Sequence, residues 1–146
     1  MPGLPLWEEG RMMEIWTGDT LFFFQGHEGA MALYEAFVQK LQEAVGEVRV
    51  KVSKTQIAFA NRYQFAFVSF AKVRRAGDRS ENYMVVTFGL DHREDSPRIH
   101  GAVEPYPGRW THHVQVSALE ELDEELMRWL KEAAEFAERK GRGRGR

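Results

Sequence analysis

Two strand-length stretches of this chain are apolar on both faces, and they limit the fold more than any other feature. Residues 64–70 put Phe65 and Phe67 on one face and Ala66, Val68 and Phe70 on the other; residues 82–90 repeat the pattern. Side chains alternate across a strand, so a run of this kind needs cover, at least in part, on both sides. It suits an interior strand. Weaker strand signals surround the pair. Val48, Val50 and Val52 alternate with Arg49 and Lys51, and Ile57 and Phe59 share a face of 56–60. A weaker strand is expected at 98–103 and a last one at 111–116. Asn61-Arg62-Tyr63 and the Pro/Gly stretch 104–109 read as hairpin connections, and 74–81 and 91–96 as polar loops.

Helices flank this block. Over 28–45, Leu33, Phe37, Leu41 and Ala44 recur at three- and four-residue steps, and Gly46 is a natural stop. Before it, Asp19 or Thr20 is expected to cap a single helical turn at 21–24. Over 118–136, Leu119, Leu122, Leu126, Trp129, Leu130, Ala133 and Phe136 form a continuous stripe, with Ser117 and Glu120 at capping-box spacing. The order helix, strands, helix predicts an α+β fold: a mostly antiparallel sheet of about five to six strands, with an N-terminal and a C-terminal helix on one face, a two-layer sandwich. No βαβ alternation is present, which argues against a doubly wound nucleotide-binding fold.

At 146 residues the chain has room for one domain. The expected division is a lead-in at 1–16, whose patch 12–16 can dock on the body, a single domain at 17–138, and a disordered basic Gly/Arg tail at 139–146. There is no cysteine, which removes disulfides, thiol nucleophiles and thiolate metal sites and fits a cytoplasmic location. No apolar run is long enough to cross a membrane. Of the net charge of −2, the tail's Arg139, Lys140, Arg142, Arg144 and Arg146 contribute +5, so the remainder carries −7. An acidic body speaks against a broad nucleic-acid face but leaves room for a local basic site.

Phe23-Phe24-x-Gly26 before a helix, the segment from Val52 through Ser53-Lys54-Thr55-Gln56-Ile57-Ala58 to Phe59, Phe65-Ala66-Phe67-Val68, Ser96-Pro97-Arg98-Ile99, Gly108-Arg109-Trp110-x-His112-His113, and Leu122-Asp123-x-Glu125-Leu126-x-x-Trp129-Leu130-x-x-Ala133 together resemble the bacterial DUF5655 domain family over residues 21–137. The family name denotes a domain of unknown function, so the resemblance implies no reaction. Relatives with a cysteine-containing segment ahead of the domain offer no guide to a chain without cysteine.

The site candidates are cations, one tryptophan and the histidines. In a strand His112 falls on the face of Val114 and Val116 and His113 on that of Gln115, so the two do not ligate one metal. Arg109-Trp110, at a loop-to-strand junction, is a possible guanidinium–aromatic cradle for an anionic or planar ligand. Lys51, Lys54, Arg62, Arg98 and His100 lie on or beside strands, with Arg49 and Lys51 sharing one face and Arg98 and His100 another. On a sheet face left open by the helices they would make a basic concavity. The acidic run 120–125 is explained by the helix dipole, and no phosphate-loop, zincin, nucleophile-elbow or dinucleotide motif occurs. Arg142, Arg144 and Arg146 resemble the arms that hold nucleic acid without sequence preference.

The expectation is a binding or accessory module, without metal or cofactor. It would hold an anionic small molecule or nucleic acid near Lys54, Arg98, His100, Arg109, Trp110 and His112. One alternative is an enzyme with His100, His112 or His113 as general base. Another is a protein–protein or homodimer module using Phe22, Phe23, Phe24, Met12, Met13 and Trp16.

Overall fold

A computed structural model describes residues 15–71 and 82–144, with side chains as far as Gly141. Helix α1 (Gly18–Phe23) is capped by Thr17, whose hydroxyl accepts from the Thr20 amide at 3.3 Å. Asp19 and Thr20, the expected caps, lie inside the helix, because its cap stands two to three residues earlier, at Thr17. A single 3-10 turn (Glu28–Ala30) leads into α2 (Met31–Val45). Gly46, at φ +89, ends α2 by donating to the Gln42 carbonyl, in a conformation that favours glycine.

Six strands follow: β1 (Arg49–Val52), β2 (Ile57–Ala60), β3 (Gln64–Ser69), β4 (Met84–Leu90), β5 (Ile99–Tyr106) and β6 (Arg109–Val116). Every pairing is antiparallel, and the order across the sheet is β1-β2-β3-β4-β6-β5. The two strands apolar on both faces, β3 and β4, are neighbours at its centre. The last hairpin is turned inside out, because β6 inserts beside β4 and β5 takes the edge.

Helix α3 (Glu124–Arg144) packs on β3, β4 and α2. The core lies between the helices and one sheet face. Leu33, Phe37 and Leu41 of α2, and Leu126, Trp129, Leu130 and Ala133 of α3, meet Ile57, Phe59, Val68, Met84, Val86, Phe88, Leu90, Val114 and Val116. A side chain of this kind contributes about 1.5–3 kcal/mol when fully buried. Phe23, Phe24 and Ile15 join the core, and Trp16 packs against Phe24 and Tyr34 while its indole donates to Glu35 at 3.2 Å. Most of the aromatic surface expected to be available to a partner is therefore used internally. Phe22 remains 69% exposed; Met12 and Met13 lie outside the described residues.

Two local expectations are corrected. The predicted Ser117–Glu120 capping box is not formed. Glu121 instead accepts from the Ser117 and Ala118 amides at 2.8 and 3.0 Å, across a separate 3-10 turn (Leu119–Glu121), and Asp123 caps α3 by accepting from the Leu126 amide at 3.0 Å. The stretch from 139 read as a disordered tail is helical as far as Arg144. Tertiary contacts hold it: Lys140 donates to the Tyr106 hydroxyl, Arg139 lies 3.5 Å from Asp91, and Gly141 fits beneath the Tyr63 ring, where a Cβ would collide. No described helix is long and apolar enough to cross a membrane.

Candidate anion-binding face

The helices cover one face of the sheet, and the strand registers define the other. One row runs across all six strands: Lys51, Ala58, Phe67, Thr87, His113, Gly101. A second begins with Arg49 beside Ala60 and Gln64. The six strands contain one carboxylate, Glu104, which accepts from the Gly108 amide at 3.2 Å in the β5–β6 turn. The chain's acidity is concentrated in the helices and connections, and the sheet is left basic.

Two concavities lie along this region. The first, about 260 Å³, has Ala58 and Ala60 among its walls and Arg49, Lys51, Arg62 and Gln64 as its polar lining. The second, about 340 Å³, is lined by Tyr63, Gln64, Phe67, Tyr106, Arg109 and Lys140, together with Ala137 and Gly141. Gln64 belongs to both and makes them one track. The β2–β3 turn sets its geometry. Asn61 accepts from the Arg62 and Tyr63 amides at 2.6 and 3.0 Å and donates to the Ala134 carbonyl of α3 at 3.2 Å. The turn is thereby fastened to the helix, and Arg62 and Tyr63 are placed at the track.

Arg49 donates to the Asn61 and Arg62 carbonyls at 3.2 and 3.1 Å. Those contacts orient the guanidinium without supplying a counter-charge. Arg109 lies against Gly89, where an added Cβ would come within 2.9 Å of its Cζ. Lys140 sits 3.6 Å from the Tyr106 ring centroid. Among the described residues, Arg49, Lys51, Arg62, Arg109 and Lys140 take part in no salt bridge. Five cations along one track without a carboxylate partner form a surface complementary to an anion.

The residues singled out in the sequence are dispersed. Arg98 leaves the sheet and bonds Asp123 and Glu125 at 2.7 and 3.2 Å and the Glu121 carbonyl at 2.5 Å, with its guanidinium 5.9 Å from the Trp129 ring. Burial works against the Asp123 charge, but the Leu126 amide and Arg98 together hold that carboxyl below the usual range. Arg98 and His100 do not form a shared cationic face, because the β5–β6 register shifts between Ile99 and Gly101. Lys54 is in the β1–β2 turn. Arg109 and Trp110 both fall within β6, so alternation sends them to opposite faces and excludes a joint cradle. Trp110 pairs with Leu90 on the helix side, with Arg93 5.9 Å from its ring. Positions 142 and 144 continue α3, their side chains outside the described set, and Arg146 lies beyond the described residues.

His112 is fully buried, stacked on Phe88, which itself stacks on Trp129. Its Nε2 accepts from the Glu94 amide at 3.0 Å, and the Glu94 carboxylate accepts from the Trp129 indole at 3.0 Å. Burial holds His112 below the ordinary imidazole pKa. His113, on the outer face, shares a 2.9 Å hydrogen bond with Thr87 and is likewise lowered by burial.

The residues that unite the track were missed in the sequence: Tyr63, Gln64, Phe67, Tyr106 and Lys140. In the sequence pattern Phe67 is a strand residue apolar on its face and Tyr106 part of a turn. Composition places Lys140 in the tail. His27 is a further residue that no motif in the sequence singles out. It stacks on Phe70 at 3.8 Å and shares a concavity of about 760 Å³ with Lys54 and Asp19.

Fold and face together define an α+β domain with an open antiparallel sheet, helical cover on one side, and a cationic track that runs from the outer face to the end of α3 and has no carboxylate partner among the described residues. The chain belongs to the DUF5655 family, described as a domain of unknown function, whose model matches residues 22–137. No curated protein and no solved structure matches the chain.

Proposed function

We propose that this domain is a binding module that holds a polyanion along the track from Lys51 and Arg49 through Arg62 and Arg109 to Lys140. The observation behind the reading is the set of five cations lining two adjoining concavities without a carboxylate among the lining residues. Guanidinium forks suit phosphate and carboxylate oxygens bidentately. Two shallow hollows joined in a line suit an extended ligand better than a compact one. The test is calorimetric titration with long-chain inorganic polyphosphate at low salt. Arg49→Ala with Lys51→Ala should weaken binding about tenfold or more, and raised salt should weaken it further. Unchanged affinity in the double variant would remove the reading.

A second reading rests on the concavity of about 760 Å³, where an imidazole and an ammonium share one hollow. An enzyme built there would use His27 as general base and Lys54 to hold an anionic substrate, in place of His100, His112 and His113. Thermal-shift screening of small carboxylates and phosphates, repeated with Lys54→Ala, tests it: stabilisation that survives the substitution counts against this site.

A further inference from the structure

Resting on the polyanion reading, we infer that the ligand of the track is a single-stranded nucleic acid. Charge alone would serve any polyanion. The concavity that contains Arg109 and Lys140 also contains Tyr63, Phe67 and Tyr106, and an inorganic polyanion has nothing to stack on a ring. Lys140 is carried on the Tyr106 ring, so a phosphate-binding cation and a stacking surface form one unit. Tyr106 is also 39% exposed, at a position where the sheet gains no core packing from it. Base–aromatic stacking beside a cationic groove is how proteins hold single strands without reading sequence.

The size of the hollow selects against a duplex. About 340 Å³ accommodates a single unstacked base with its sugar, whereas paired bases are enclosed in their own stack and cannot enter. Gln64, between the two concavities, adds an amide that donates and accepts. Helix α3 runs on from Gly141 to Arg144, so two more arginine positions, 142 and 144, follow within one turn of the second concavity.

The experiment is fluorescence anisotropy on the full chain with a labelled deoxythymidylate dodecamer, an abasic dodecamer with the same phosphates, and a duplex of that length. The deoxythymidylate strand should bind about tenfold tighter than the abasic strand and tighter than the duplex. With about four phosphate contacts, its affinity should fall about fiftyfold between 50 and 200 mM salt. Tyr106→Ala should lower affinity for the base-bearing strand about tenfold, a larger loss than for the abasic strand, which loses only the seat of Lys140, and Tyr106→Trp should hold the base-bearing strand more tightly than Tyr106→Ala does. Circular dichroism melting checks that both variants fold. Equal affinity for abasic and base-bearing strands, a comparison made on the unmodified protein, overturns the nucleic-acid inference and leaves the polyanion reading standing. If neither strand binds while polyphosphate does, the inference also fails. If polyphosphate fails as well, both readings fall.

Discussion

The two ends of α3 each place a cation on an aromatic ring, and they use it in opposite ways. At the N-terminal end Arg98 lies against Trp129 and is claimed by Asp123, Glu125 and the Glu121 carbonyl. Its side chain is only 22% exposed. At the C-terminal end Lys140 lies on Tyr106 beside Arg109, and no carboxylate lines the hollow they share. The first cation closes the fold: it ties the start of β5 to the start of α3. The second is held in position with no salt-bridge partner among the described residues. A cation–aromatic pair is therefore not a sign of a ligand site in itself. Whether carboxylates reach the cation decides its role.

This contrast predicts a graded set of outcomes. The largest effect belongs to the N-terminal end. Trp129→Ala removes a ring stacked on Phe88 and bonded to Glu94, and should cost about 3–5 kcal/mol in urea denaturation. Arg98→Ala should cost about 1–2 kcal/mol, since its bonds are charge-assisted but its partners are partly solvated. Polyanion affinity should stay unchanged. A loss of affinity without a loss of stability would reverse the assignment of the two ends.

Acid should act on the same region. His112 and His113 have folded pKa values lowered by burial. Each is neutral in the fold and takes up a proton more readily once unfolded. Their contribution is thus complete above the unfolded value of about 6.5 and declines as pH falls below it, by at most about 1.4 kcal/mol per pH unit for each ring. His92 has the opposite sign. Its bond to Asp91 raises its pKa, so its smaller, solvent-exposed contribution is present at low pH and lost as pH rises through the folded value. Urea titrations from about pH 7.5 down to about 5.5 should therefore show net destabilisation, and His112→Gln should flatten the slope. An unchanged slope would mean that the buried imidazole is not the acid-sensitive element.

The smallest stability effect is expected at the C-terminal end. Arg109→Ala should change unfolding free energy by no more than about 0.5 kcal/mol while weakening polyanion binding several-fold. If Arg109→Ala destabilised the protein as much as Arg98→Ala, the two ends would not differ in kind.

The sequence made the layers legible, and parts of the face as well. Strand alternation alone placed His112 with Val114 and Val116 and separated it from His113, and the register shows that separation. The same rule would have separated Arg109 from Trp110 had the strand been started at residue 109 rather than 111; a Pro/Gly turn extending over two residues, not six, accounts for the difference. The polarity of the outer face was visible at Arg49 and Lys51. The bulge at His100 was not, because register shifts depend on pairing with a neighbouring strand. Gly141-Arg142-Gly143-Arg144 has the composition of a disordered arm, and intrinsic preference is outweighed where Tyr63 packs on Gly141 and where Tyr106 and Asp91 hold Lys140 and Arg139 just before it.

Periodicity by itself determined the two helices, the central position of β3 and β4, and the single-sided core, because burial repeats every two residues in a strand and every three or four in a helix. Only the tertiary structure decided which cations are neutralised. Arg98 meets Asp123 across a separation of 25 residues and Lys140 meets Tyr106 across 34. Coulomb interaction depends on distance through space, and no spacing along the chain encodes it.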